Sequence, residues 1–159
     1  MKVILDADCL IKITKAGIKE DICNAFDIAI PHLVKEEVVD RGKAKGLPDA
    51  VVVDRNIKGK LLKVTGERDK KSNTGEKEAA NLFQKGGFDA IGSDDRKFIK
   101  QLRLFNIPYI TPAVFIALLL KQGYLTQSEA MEKLDALSEY ISENEYFTVK
   151  IFIEQRRKS

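Results

Sequence analysis

Several residue types are scarce in this sequence of 159 residues, which has one histidine, two cysteines and no tryptophan. A metal site built from several histidines is therefore excluded, and any Ser-His or Cys-His mechanism would have to use His32. Cys9 and Cys23 have neither Cys-x-x-Cys spacing nor a nearby histidine cluster, so they predict neither a disulfide framework nor a zinc site. We expect both to be small buried apolar residues.

Long hydrophobic runs are also missing. The longest, residues 113–120, is far shorter than the roughly 18 apolar residues that a membrane span needs. The first residues lead directly into a short apolar stretch and lack the features of a signal peptide. We therefore expect a cytoplasmic protein without membrane contact, whose length suits one domain with a short appendage.

The net charge of +3 is unevenly distributed. Residues 41–71 contain ten Lys or Arg against four Asp or Glu, a local balance of +6. Such a cluster is typical of a surface that attracts phosphates, although a solvated loop would have the same composition. The lysines predicted to contact RNA are Lys43, Lys45, Lys58 and Lys60.

Short apolar runs alternate with helical patterns along most of the chain. Predicted strands cover residues 2–7, 26–30, 61–65, 88–93 and 109–110, and predicted helices cover residues 9–26, 31–39, 74–86, 94–105, 112–122 and 127–141. The helix at 9–26 is interrupted at Gly17 and could be two helices, and Gly42 is expected to end the one that begins at Pro31. The segment 42–73 has no clear pattern beyond its one strand.

This order predicts an α/β fold, a three-layer α/β/α sandwich around a mainly parallel central sheet. Residues 1–142 would form the domain. Residues 143–159 would add an extension, in which 146–153 alternate like a strand and 156–158 form a basic tail.

Acidic residues follow or flank the predicted strands. Asp6 ends the first apolar strand, where an acid rarely has a packing role, and Asp8 follows it. Because the carboxyl ends of parallel strands meet at one edge of the sheet, acids placed there converge. The further candidates are Glu37, Glu76, Asp94 and Asp95. Such oxygen ligands favour Mg²⁺ or Mn²⁺, which can activate water against a phosphodiester without a histidine base.

Four segments in order resemble the motif regions of the PIN-domain family, the fold of VapC-like toxin ribonucleases. They are Val3-Ile4-Leu5-Asp6-Ala7-Asp8, Ile30-Pro31 with Val34-Lys35-Glu36-Glu37-Val38, Gly75-Glu76-Lys77-Glu78-Ala79-Ala80, and Ser93-Asp94-Asp95-Arg96-Lys97-Phe98. The sequence departs from the common pattern at Asp8, Glu76 and Ser93, where Ser or Thr, Asp and Thr are usual. The Gly-Glu-x-Glu-Ala form resembles one particular branch of the family.

The resemblance implies a Mg²⁺- or Mn²⁺-dependent endoribonuclease. Its catalytic acids would be Asp6, Glu37, Glu76 and Asp95, with Asp8 and Asp94 as further metal ligands and Ser93 near the RNA. Asp95 ranks above Asp94 because the family pattern Thr-x-Asp falls on residues 93–95. The resemblance also implies a homodimer and a small antitoxin-like partner, with the chain as the toxin of such a pair.

Two other interpretations stay open on the sequence. Asp6-Ala7-Asp8 also resembles the nucleophile and acid of haloacid-dehalogenase-like phosphatases, in which Asp6 would attack phosphorus and Asp8 would donate a proton. Alternatively, the chain is a non-catalytic module that binds RNA or a protein through its basic segment.

Overall fold

Five parallel strands form the centre of the computed structural model, which describes residues 1–68 and 70–156. The strand order is β3-β2-β1-β4-β5. The strands are β1 (Lys2–Leu5), β2 (Asp27–Pro31), β3 (Lys63–Thr65), β4 (Ala90–Gly92) and β5 (Tyr109–Ile110). In the register of β1, Val3 lies opposite Ile28 of β2 and Ala90 of β4. The predicted mainly parallel sheet is confirmed and is parallel throughout.

Helices connect the strands and cover both faces of the sheet. They are α1 (Ala7–Lys15), α2 (Lys19–Ala25), α3 (His32–Lys35), a π-helical segment (Glu36–Asp40), α4 (Arg41–Ala44), α5 (Pro48–Lys58), α6 (Gly75–Gln84), α7 (Arg96–Leu104), α8 (Pro112–Lys121), α9 (Gln127–Leu137) and α10 (Glu143–Gln155). None of those within the described residues is long and apolar enough to cross a membrane.

The side chains of β1 alternate between two apolar cores. Val3 and Leu5 join the larger core, which contains residues of α1, α2, α8 and α9, whereas Ile4 packs with Ala79 and Leu82 of α6 on the opposite face. All three β1 side chains are fully buried, as expected for a central strand covered by helices on both sides. This arrangement confirms the predicted helix layers.

The chain changes direction in the sheet at β1. β2 and β3 extend from one side of it, and β4 and β5 from the other. In open parallel sheets the crevice at such a switch point, beyond the carboxyl ends of the strands, is the usual binding site. Residues that directly follow β1 and β4 are therefore placed together.

Two glycines were expected to mark helix boundaries, and one of them does. Gly17 has φ +71° and separates α1 from α2, which confirms that residues 9–26 form two helices. Gly42 does not end a helix as predicted, because it lies buried within α4. A Cβ there would come 2.7 Å from Cβ of Ala50, so Gly42 allows α4 and α5 to pack closely.

The segment 42–73 contains more structure than its sequence predicted. The strand expected near residues 61–65 is present as β3, but α5 was not foreseen. Pro48 occupies the first turn of α5, a position where proline costs no hydrogen bond, and Ala50 and Val53 form its buried face.

The strand-like conformation predicted for residues 146–153 is wrong, because these residues lie in α10. Ser142 caps the helix by accepting a hydrogen bond from the Glu145 N–H, and Val149 and Ile153 lie one turn apart in the main core. α10 packs on α8 and α9, so helical rather than alternating spacing buries its apolar residues. Of the basic tail predicted at 156–158, residues 157 and 158 lie outside the described residues.

Candidate active site

Asp6 lies at the carboxyl end of the central strand and is the N-cap of α1. Its Oδ1 accepts a hydrogen bond from the Cys9 N–H at 2.8 Å, and its Oδ2 accepts one from the Ser93 hydroxyl. The side chain is held from two sides, and only 2% of the residue is exposed. The carboxylate predicted from β1 is thus fixed in orientation at the switch point of the sheet.

Ser93 follows β4 and connects two of the predicted acids. Its hydroxyl donates to Asp6 and accepts a hydrogen bond from the Asp95 N–H at 3.2 Å. Asp95 in turn caps α7, since its Oδ1 accepts from the Phe98 N–H at 2.7 Å. Ser93 is fully buried and orients Asp6, and its predicted contact with RNA stays a prediction.

Four of the predicted acids share one cavity of about 330 Å³. Asp6, Asp8, Glu37 and Glu76 all line it, together with Ala7, Thr74 and Gly75. These acids come from three separate segments of the chain, the beginning of α1, the π-helical segment and the first turn of α6. Sequence positions up to 70 residues apart, from Asp6 to Glu76, are therefore brought to one place by the crossovers.

The start of α6 is fixed close to the π-helical segment. The Thr74 hydroxyl caps α6 by accepting from the Lys77 N–H at 3.2 Å, which places Glu76 in the first turn. A Cβ at Gly75 would lie 2.7 Å from Cγ2 of Val34 and 3.7 Å from both carboxylate oxygens of Glu37. The glycine therefore permits the close approach that brings Glu37 and Glu76 to the same cavity.

Two of the acids, Asp6 and Glu76, have raised pKa values. Burial, with smaller contributions from Asp8 and Glu76, raises the pKa of Asp6 to about 7, although its hydrogen bonds from Ser93 and Cys9 oppose this shift. Burial also raises the pKa of Glu76, and the charges of Asp95, Glu37 and Asp8 add to the effect. Asp95 does not line the cavity, but its influence on Glu76 places it electrostatically within the cluster.

Asp94 is oriented differently from its neighbour. Its Oδ2 lies 2.5 Å from Nζ of Lys12, which also lies 3.1 Å from Oδ2 of Asp8. Burial alone would lower the pKa of Lys12, but the hydrogen bonds to Asp94 and Asp8 raise it. Asp94 is thus paired with a lysine of the protein itself. That Asp95 rather than Asp94 is the catalytic acid stays a prediction.

The four predicted RNA-binding lysines divide into two groups. Lys43 and Lys58 both form ion pairs with Asp54, at 2.6 and 2.9 Å, so much of their charge is neutralised locally. Lys45 borders a second cavity beside Glu37, and Lys60 follows α5 in a left-handed conformation with φ +62°. The basic segment is thus not a uniform surface.

Two residues near the site were not identified from the sequence. Lys12 lies four residues after Asp8 in α1, and this spacing could have indicated an ion pair on the helix surface. Glu145 of α10 faces Asp94, and its Oε1 accepts from the Ala113 N–H at 3.0 Å. No local signal pointed to Glu145, because its contacts depend on how α10 packs.

The donor chemistry suits a hard divalent cation, since the cavity offers carboxylate oxygens whose mutual repulsion such an ion would relieve. In the conformation observed, however, no three Asp, Glu, His or Cys side chains among residues 1–68 and 70–156 are grouped closely enough to hold an ion. His32 is directed elsewhere, with Nε2 2.7 Å from the carbonyl oxygen of Gly66.

Comparison with known proteins gives one informative result. A family model described as a PIN domain matches residues 2–154, nearly the whole chain. Searches of curated proteins and of solved structures give no significant match. The match spans the sheet, the four acidic segments and most of α10, and the chain therefore belongs to the PIN-domain family.

Proposed function

We propose that this chain is a metal-dependent endoribonuclease that hydrolyses RNA phosphodiester bonds with Mg²⁺ or Mn²⁺. The family generally consists of nucleases, which supports hydrolysis. The observation that carries the proposal is the cavity in which the buried Asp6 meets Asp8, Glu37 and Glu76 at the switch point of the sheet. Two of these carboxylates, Asp6 and Glu76, have raised pKa values, which is typical of functional sites.

The residues divide into one fixed and two adjustable ligands. Asp6 is held by Ser93 and Cys9 and offers an oriented carboxylate, whereas Glu37 and Glu76 are partly exposed and can rotate toward an ion that Asp6 holds. Asp95 would complete the set from α7. A divalent cation bound here would supply the activation of water and the stabilisation of the leaving oxyanion.

The remaining neighbours orient the site. Ser93 keeps the carboxylate of Asp6 in place and reduces the energetic cost of its charge. Lys12 contacts both Asp8 and Asp94 and offsets part of their charge at the edge of the cavity. No histidine lines the cavity, so a proton from the attacking water would pass to a carboxylate or to solvent.

The family assignment favours this proposal over the phosphatase, in which Asp6 would be the nucleophile and Asp8 the acid. Asp8 is 3.1 Å from Nζ of Lys12, so the carboxylate that would act as the acid in the phosphatase is engaged in an ion pair. A homodimer, an antitoxin-like partner and a toxin role stay predictions from the resemblance.

The test is Mn²⁺-dependent cleavage of a mixed RNA pool by the purified chain. We expect Asp6→Asn and Glu37→Gln each to lower the cleavage rate by at least about tenfold to a hundredfold while the fold is retained, because each removes a candidate ligand. Glu36→Gln is the matched control for Glu37→Gln, because Glu36 pairs with Arg68 and does not line the cavity. Cleavage by Asp6→Asn at the parent rate, or no cleavage by the parent, would contradict the proposal. In that second case the non-catalytic module becomes the better description.

A further inference from the structure

A second cavity, of about 280 Å³, lies next to the acidic cavity and shares Glu37 with it. It is enclosed by α1, the π-helical segment, α4 and the first turn of α5. Its position is set by Gly42, which allows α4 and α5 to approach closely. The two cavities therefore form neighbouring parts of one surface, with Glu37 between them.

The charge of the second cavity is opposite to that of the first. Arg41 and Lys45 border it and are exposed, and neither forms an ion pair with any part of the chain that the structure describes. Lys15, the third cation of this cavity, is paired with Asp49 at 2.9 Å. Two cations thus remain available to a ligand directly beside the acidic cluster.

The cavity also has an apolar side. Ile11 and Val38 line it, and Leu47 exposes about half of its surface there. An anion with an apolar part would satisfy both the cations and this wall. A nucleotide has this character, since its phosphate is charged and its sugar and base can lie against carbon atoms.

We infer that this cavity binds the nucleotide next to the scissile bond, with Arg41 and Lys45 contacting its phosphate and Leu47 contacting its sugar or base. This inference rests on the proposed function and names the part of the site that holds the RNA strand. The acids repel the substrate's phosphates, so cations beside them are needed to hold the strand across Glu37. The planar guanidinium of Arg41 is suited to two phosphate oxygens, and Lys45 adds a point charge.

The inference assigns RNA binding to only two of the cations in the basic segment, residues 41–71. Lys43 and Lys58 are close in sequence to Lys45 but share the carboxylate of Asp54. One carboxylate compensates only part of their combined charge, so replacing one of them removes a partly compensated charge, whereas replacing Arg41 or Lys45 removes a charge that no ion pair among the described residues compensates. Overall charge attraction predicts no such difference, since each replacement changes the net charge by one.

The test is the binding of a short fluorescent single-stranded RNA in EDTA, followed by anisotropy at several salt concentrations. We expect Arg41→Ala and Lys45→Ala each to weaken binding roughly three- to tenfold, and each to reduce the slope of log affinity against log salt by about 0.7. Lys43→Ala and Lys58→Ala are the matched controls and should change the affinity by less than about twofold. Equal losses in all four variants, no loss in Arg41→Ala and Lys45→Ala, or no binding by the parent would each overturn the inference.

Cleavage kinetics separate this inference from the proposed function. With Mn²⁺, Arg41→Ala and Lys45→Ala should raise KM and leave kcat within about twofold, because they remove binding that is the same in the ground state and the transition state. A parent that cleaves while these variants bind RNA like the parent contradicts the inference alone. A parent that binds RNA through Arg41 and Lys45 but does not cleave contradicts the proposed function alone.

Discussion

Nζ of Lys12 lies 2.5 Å from Oδ2 of Asp94, an ion pair that connects α1 to the loop after β4. The side chain of Lys12 is 20% exposed and that of Asp94 is 13% exposed, so water screens the pair only partly. The same ammonium also contacts Asp8. One cation therefore offsets part of the charge of two acids at the edge of the candidate active site.

Lys12→Met should destabilise the protein by about 1 to 3 kcal/mol, because it leaves Asp94 and Asp8 without their partner in a partly buried setting. Urea unfolding at pH 7 measures the loss. Lys35→Met is the control, since it removes a more exposed pair with Asp40 and should cost no more than about 1 kcal/mol. Equal losses of unfolding free energy in the two variants would show that the Lys12 pair stabilises the protein no more than an exposed pair does.

Glu145 also lies next to Asp94, and its contribution to the free energy of unfolding should depend on its charge. Burial, with the neighbouring Asp94, raises the pKa of Glu145, while the hydrogen bond from the Ala113 N–H opposes the shift. Glu145→Gln removes the charge and retains an acceptor for the Ala113 N–H, so its free energy of unfolding at pH 8 should equal or exceed that of the parent. Glu145→Ala leaves that N–H unpaired and should cost about 1 to 3 kcal/mol. A Gln variant as unstable as the Ala variant would argue against this account.

The sequence predicted those features that depend on local order along the chain. Asp6 directly follows a buried strand, and Glu37 and Glu76 lie on helical segments that follow β2 and β3. Because the carboxyl ends of parallel strands meet at one edge of the sheet, these three acids could be predicted to converge. α10 was misjudged because Phe147 and Ile151 remain exposed, so its apolar residues alternate without a clear helical stripe. The pairing of Lys12 with Asp94 and the contacts of Glu145 were missed because they are made across the fold.

The pH dependence of stability should reveal the buried carboxyl group of Asp6. Its pKa is raised from 3.8 to about 7, so the folded state binds the proton more tightly than the unfolded state does. The free energy of unfolding should therefore fall as the pH rises from about 4 to about 7, by up to about 4 kcal/mol from this group. Measurements in EDTA at pH 5 and pH 8 test this.

Asp6→Asn should flatten this pH dependence and be more stable than the parent at pH 8 without metal. Asp40→Asn, an exposed acid paired with Lys35, should leave the dependence unchanged. The same slope in Asp6→Asn as in the parent would assign the titration to other groups. Addition of Mn²⁺ should then raise the Tm of the parent and not that of Asp6→Asn, because only the parent carries the charged ligand.

Ser93→Ala should weaken Mn²⁺ binding without exposing the site. The hydroxyl lowers the pKa of Asp6, so its loss makes the charged carboxylate harder to form. Calorimetric titration at pH 7 should show roughly tenfold weaker binding, with the pH at which binding appears shifted upward. Ser138→Ala is a control, since that exposed hydroxyl donates to the nearby Asp135 carbonyl oxygen. Unchanged affinity in Ser93→Ala would mean that Asp6 does not need its donor.

Gly75→Ala tests whether close packing at the start of α6 sets the site. Alanine normally stabilises a helix relative to glycine by up to about 1 kcal/mol, but here the new Cβ would lie 2.7 Å from Cγ2 of Val34. We expect a net loss of about 1 to 3 kcal/mol, and weaker Mn²⁺ binding because α6 must move away from Glu37. Gly59→Ala is the control. A Cβ at residue 59 would lie 3.3 Å from its nearest neighbour, the Arg55 carbonyl oxygen, so this variant should leave Mn²⁺ affinity unchanged. A Gly75→Ala variant that binds Mn²⁺ like the parent would show that Glu37 and Glu76 reach a common ion without this close approach.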